Sequence, residues 1–312
     1  MVTLSTAPQA PRSPSGIISP LYQPPKSGTA CHQFLNRVNA KYGLSLASYD
    51  SLYRWSTTSI GDFWETVWEE TQIIGHMGNH VVDRDATPSD NPVWFADARL
   101  NWAENMLRCR SHTRIALIQA TEPIHDHLAP PLRSCSYGEL YESVKHLVSA
   151  LLLGGFKSGD RAASYSSNCI ENVVACLATT ALGGIWVSAA ADFGPEGVLE
   201  RFQQVQPTFI FAVDAVVYNA KVHDHTGKVT SLLSSLNDVS ALKPKVIIIH
   251  TIPNPHPEAR NGWKNDWVSW EDFIKSGQEA RLGHDDTGEI KWARQSFDHP
   301  LWVLFSSGTT GR

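Results

Sequence analysis

Apolar positions in the first hundred residues recur with helical spacing, and from Arg114 onward short apolar runs alternate with amphipathic stretches. The pattern predicts a helix from Thr29 through Tyr42, closed by Gly43, a residue suited to the left-handed turn that ends helices. Ser59, with Asp62 three residues on, predicts another helix start. Phe63, Trp64, Val67 and Trp68 then fall on one face before Gly75, and the stripe reads as packing surface. His76 to Pro92 reads as loop, and Asn101 with Glu104 opens a short helix through Leu107.

Beyond Arg114 the rhythm becomes strand, helix, strand. Ile115 to Ile118 has strand length. Ser136 with Glu139 starts a helix that keeps Leu140, Val144, Leu147 and Leu151 on one face as far as Gly154-Gly155. A strand follows at Arg161 to Tyr165. Asn168 with Glu171 reads as the cap of the next helix, which stops at Gly183-Gly184. Further strands are predicted at 185–187, 208–213, 245–249 and 301–305, with a helix from Pro195 to Val205 among them. Segments 253–267 and 277–292, rich in His, Asn, Gly and charge, read as surface excursions. Such alternation predicts an α/β fold: a helical N-terminal cap, then a mainly parallel, doubly wound sheet. No internal repeat is visible.

Composition narrows the functional classes. A chain of 312 residues, 42% hydrophobic and 18% charged, can build a large core without metal or disulfide staples. Net charge is -5, so no basic field invites nucleic acid or an anionic membrane surface. Five cysteines without CxxC spacing point to reduced thiols and a cytoplasmic setting. Residues 1–28, rich in Ala, Ser, Thr, Pro and Gly, read as a disordered leader. Val173 to Ala191 is apolar over nearly a bilayer's width, but Gly183-Gly184 interrupts it, so a helix followed by a buried strand is expected rather than a membrane span. The pairs His125/His127 and His223/His225 read as solvated loop histidines, and no metal site is assigned. No GxSxG elbow is present, and Ser306-Ser307 have no nearby His to activate them.

The last residues carry the chemistry. An apolar strand delivers the chain into Ser306-Ser307-Gly308-Thr309-Thr310-Gly311, where small residues let backbone N–H groups and hydroxyls surround anionic oxygens. The glycine spacing is not that of the GxxxxGK[ST] loop. By composition alone the segment fits a flexible polar turn as well as a phosphate cradle.

Phe305 to Gly311 resembles the phosphate-loop signature of the adenylate-forming superfamily. Residues 62–75 and 94–105 resemble the N-terminal cap of the acetyl- and acetoacetyl-CoA synthetases. The run from Gly183 to Ser188, and on through Asp192 to Phe202, is similar to the acetoacetyl-CoA branch more than to the acetyl-CoA branch. The resemblance implies a domain order of 1–28 leader, 29–110 cap and 111–312 partial AMP-binding domain. It also implies ATP-dependent ligation of a short-chain keto acid to CoA through an acyl-adenylate. Ser306, Ser307, Gly308, Thr309, Thr310 and Gly311 would then hold ATP phosphates, and Phe193, Gly194 and Lys221 would lie against CoA. Tyr218 stands where the related enzymes carry a second basic residue. The Mg2+ ligands, the acid pocket and the catalytic lysine would lie beyond residue 312, so this stretch alone is expected to be inactive, and no catalytic residue is assigned within it. The implied partners are small molecules, with neither nucleic acid nor membrane among them; oligomeric state is left open. The alternatives are a non-catalytic interaction remnant and a ligase for another short acid such as acetate.

Overall fold

A computed structural model describes residues 28–83, 87–124, 132–239, 243–251 and 263–305. The expected leader, His125/His127 and the Ser306–Gly311 loop lie outside the described residues. The chain divides into two compact units, one up to Thr71 and one from Gln72 onward.

The first unit holds α1 (Ala30–Tyr42), α2 (Tyr49–Thr58) and α3 (Ile60–Glu70). Thr29 caps α1 by accepting from the His32 amide, and Gly43 ends it at φ 65°, as the sequence predicted. Leu35, Val38 and Leu52 form the core of this unit. Phe63 packs edge-on against Phe34 and Trp55, whereas Trp64 is 42% exposed, so only part of the aromatic stripe is packing surface. Ser59 stands at the start of α3, but its side chain makes no capping bond.

The second unit opens with two short strands, β1 (Gly75–His76) and β2 (Arg99–Leu100), paired antiparallel. The helix α4 (Trp102–Met106) follows, capped by Asn101, which accepts from the Glu104 amide. Next come β3 (Ile115–Gln119) and β4 (Arg133–Ser136), an antiparallel pair, then α5 (Tyr137–Leu153), β5 (Arg161–Ser166), α6 (Ile170–Ala181), β6 (Ile185–Ala190) and α7 (Pro195–Val205). The chain continues through β7 (Phe209–Val213), an antiparallel hairpin of β8 (Ala215–Tyr218) and β9 (Lys221–Asp224), α8 (Thr226–Val239), β10 (Lys245–Ile249), β11 (Val268–Ser269), α9 (Trp270–Ala280) and β12 (Trp302–Val303).

Six of these strands form one sheet in the order β11-β10-β7-β5-β6-β12, and every neighbouring pair is parallel. The period-two geometry of a strand decides which core each residue joins. In β7, Phe209, Phe211 and Val213 pack with residues of α5, α6 and α9, whereas Ile210 and Ala212 face residues of α7 and α8. Both faces are therefore covered, which is why β7 reads as an unbroken apolar run and is buried throughout.

Some expectations are corrected. The α6 start is set by Cys169 rather than Asn168 and has no side-chain cap; Glu171 instead pairs with Arg133 at 2.5 Å. Segment 277–292 runs mostly at the surface, as expected, but is anchored to the core at two points. Gly277 is a buried residue of α9, and Ile290 is buried in the main core. Trp267, at the end of the other supposed excursion, is 6% exposed. The apolar run 173–191 folds as helix and buried strand, as expected. Gly183 turns between them at φ 71°, where a side chain would also meet the Gln295 amide nitrogen at 2.2 Å. Among the described residues no helix is long and apolar enough to cross a membrane.

Candidate active site at the carboxyl edge of the sheet

From β5 the chain crosses through α6 to β6 on one side, while from β7 it crosses through α8 to β10 on the other. The carboxyl ends of β5 and β7 thus flank a topological switch point, where open α/β sheets place their ligands. Helices α6, α7 and α8 begin at this edge, where the positive ends of their dipoles favour negative charge; the first amides of α8 are already taken by the Asp224 carboxylate and that of α6 by the Gln119 side chain.

Beyond β6 the chain turns through Ala191 to Gly194. This turn is fastened from two directions. The Tyr165 hydroxyl, from β5, donates to the Phe193 carbonyl at 2.5 Å. The Lys228 ammonium, from the first turn of α8, donates to the Ala191 carbonyl at 2.9 Å and to that of Phe193 at 3.4 Å. The Phe193 ring stays 41% exposed. Gly194, the residue before α7, has φ -68° and ψ 147°, a conformation open to any residue, and a Cβ there would meet nothing within 4 Å. Neither backbone strain nor packing explains the glycine.

Under this turn lies a buried polar layer. The His225 ring, 1% exposed, stands edge-on to Tyr165 at 4.3 Å, and its Nδ1 is 3.2 Å from the Val213 carbonyl. Burial, with help from the Lys228 charge, pushes its pKa down to about 4. The reading of the pair as solvated loop residues is corrected in part: His223 is exposed as expected but sits on β9, whereas His225 is a buried neutral ring beneath the edge. Asp214 follows β7. Burial alone would raise its pKa, but donation from His250 Nδ1 at 2.9 Å and from the amide and hydroxyl of Thr251, both at 3.0 Å, brings it below the usual value. This cluster stiffens the start of the β8–β9 hairpin.

Lys221 opens β9 directly across from Tyr218, on a tight turn whose two central residues, Asn219 and Ala220, have φ 50° and 57°. Both flanking side chains are exposed. The structure thus brings the Phe193–Gly194 turn to the base of the hairpin, through His225 on Tyr165 and Lys228 on Phe193, and leaves Lys221 at its tip. Tyr165, Lys228 and Arg201 were not singled out from the sequence. Lys228 carried no signal because α8 itself was not predicted, and Tyr165 reads as an ordinary strand residue.

The predicted last strand is realised as β12, parallel to β6 with Trp302 opposite Trp186. Its carboxyl end therefore opens on the same edge, next to the Phe193 turn. Among the described residues no group of three His, Cys, Asp or Glu side chains could hold a metal ion, so none is assigned to Mg2+.

With this geometry in place, the comparisons with known proteins are informative. Residues 110–312 match the family model of the AMP-binding enzymes, and residues 49–106 match that of the acetyl-coenzyme A synthetase N-terminus. The chain belongs to the AMP-binding enzyme family. It is 37% identical over 291 residues to an acetoacetyl-CoA synthetase from Danio rerio, covering 93% of this chain and 41% of that protein. A malonamoyl-CoA synthetase from Penicillium aethiopicum is 31% identical, covering 92% of this chain and 38% of that protein. An acetoacetyl-CoA synthetase from Streptomyces lividans has a solved structure that superposes with a TM-score of 0.72 at 32% identity, covering 89% of this chain and 39% of the other. The chain of this AMP-binding enzyme thus spans about two fifths of the length of these relatives.

Proposed function

We propose that the chain supplies the N-terminal part, with residues 29–110 as a cap, of an ATP-dependent ligase that joins acetoacetate to CoA. In the first step an oxygen of the acid attacks the α-phosphorus of ATP, and the bond to pyrophosphate breaks. In the second the CoA sulfur attacks the carbonyl carbon of the acyl-adenylate, and AMP leaves. The first is a displacement at phosphorus in which positioning and charge neutralisation supply most of the acceleration. In this reading Ser306 to Gly311 hold the ATP phosphates, and the Phe193–Gly194 turn and Lys221 lie against CoA. The reading belongs to a soluble cytoplasmic enzyme that uses Mg2+, ATP and CoA. The observation that carries it is the common edge: the strand leading to Ser306 and the turn at Gly194 leave adjacent parallel strands, in a chain whose relatives named as acetoacetyl-CoA synthetases match over 93% of its length.

The relative named as a malonamoyl-CoA synthetase supports a second reading, in which the acid is another short one. Acetoacetate-dependent ATP–pyrophosphate exchange tests both. A chimera should be made of residues 1–312 joined to the remaining length of the Danio relative, and compared with the 312-residue chain alone. The chimera should exchange and the shorter chain should not. A silent chimera beside an active Danio parent would overturn the ligase reading.

A further inference from the structure

We propose that Arg201 is a positioning residue that couples the Phe193–Gly194 turn to the root of the Ser306–Gly311 segment. The inference rests on the ligase reading for its functional meaning, but its geometry stands alone. Arg201 is half-buried on α7. Its guanidinium carbon lies 5.1 Å from the Phe193 ring centroid and 5.4 Å from that of Phe305, so one cation is shared by two aromatic rings. Nη1 donates to the Gly197 carbonyl at 2.5 Å, which fixes the guanidinium on its own helix. One ring belongs to the turn beyond β6, and the other directly precedes Ser306 in the chain. Phe305 also packs against the core under α7 and α8, so displacing it disturbs the surface on which Arg201 rests. In the two-step reaction these are the places where the thiol donor and the ATP phosphates would be held. A shared cation makes the order of one depend on the order of the other.

Two measurements test the coupling. The first uses the 312-residue chain without ligand and follows amide exchange at Phe193, whose N–H donates to the Ala190 carbonyl at 3.1 Å, and at Val303. Phe305→Leu should speed exchange at Phe193, and Phe193→Leu should speed it at Val303, each about two- to five-fold, the scale of one cation–π contact. Arg201→Gln should do both and abolish the cross-effects, while Arg201→Lys, which keeps the cation, should restore part of the protection. If each phenylalanine loosens only its own segment, or if Arg201→Gln changes neither, the coupling is refuted.

The second measurement uses the chimera. Phe305→Leu should raise KM for CoA and Phe193→Leu should raise KM for ATP, with both cross-effects absent in the Arg201→Gln background and partly rescued by Arg201→Lys. Effects confined to the neighbouring substrate would count against the positioning role. A wild-type chimera without activity would sink the ligase reading, and amide exchange would still decide the coupling.

Discussion

At the scale of single residues, the edge of the sheet combines groups the fold requires with one it does not. His225 is required. Its folded pKa, near 4, lies below the ordinary value of 6.5, so between those values the unfolded chain takes up a proton that the folded chain refuses. Its contribution is neutral above pH 6.5 and turns destabilising as pH falls, reaching about 3 kcal/mol near pH 4. Denaturant unfolding at pH 7 and pH 5 should show wild type losing more stability than His225→Gln over that interval; equal losses would contradict this. Gly194 is different, because its φ is ordinary and its surroundings are empty. Gly194→Ser should leave the melting temperature unchanged or slightly higher, since a hydroxyl there can cap α7, yet in the chimera it should raise KM for CoA several-fold. An unchanged KM would leave the glycine without a role at the ligand. The sequence pointed to Phe193 and Gly194 through resemblance alone. Nothing in local composition marked Lys228 or Tyr165, which act through contacts 35 and 28 residues away along the chain.

Elements were legible where capping chemistry and periodicity agreed. Ser136 and Glu139 form the predicted reciprocal cap of α5, and its predicted stripe of Leu140, Val144, Leu147 and Leu151 is buried in the main core. The helix α9 was not legible because it carries a glycine that reads as a stop. The structure gives that glycine a different reason. A Cβ on Gly277 would lie 2.1 Å from the His146 carbonyl oxygen and 2.8 Å from the Ala150 amide nitrogen, so α9 approaches α5 closely enough to touch its backbone. Nearby, Ser149 of α5 accepts from the Leu282 amide at 2.7 Å. Helix propensity favours Ala over Gly by about 1 kcal/mol, but the overlap is with backbone that cannot rotate away. Gly277→Ala should therefore destabilise the second unit by about 1–3 kcal/mol in guanidinium unfolding. A variant as stable as wild type would show that the two helices can part at little cost. The hairpin of β8 and β9 was missed for a related reason: Asn219-Ala220 forms a tight turn without the glycine that usually announces one.

At the scale of the molecule, the alternation of apolar strands and amphipathic helices was enough to predict a parallel, doubly wound sheet, because each β7-like run must be covered on both faces. The order of strands was not legible, since β10 and β12 reach their places only through long connections whose spacing carries no register signal. That order has a physical consequence at the β12 end. Among the described residues β12 is an outer strand of the sheet, two residues long; its Trp302 is 43% exposed and Leu304, just beyond it, 75%. Trp302 is partly held by an edge-on contact with Trp102 at 5.1 Å, whereas Leu304 projects freely. An apolar outer strand with open backbone groups is a template for pairing with another chain. The 312-residue chain should therefore self-associate with rising concentration. Leu304→Lys should reduce this while leaving the unfolding midpoint unchanged, because a charge on the strand opposes edge-to-edge pairing and removes no core contact. Sedimentation and light scattering across a concentration series would check it. Association of equal strength in the lysine variant would place the sticky surface elsewhere, with the stacked and exposed Tyr49 and Tyr53 of the first unit the next to be substituted.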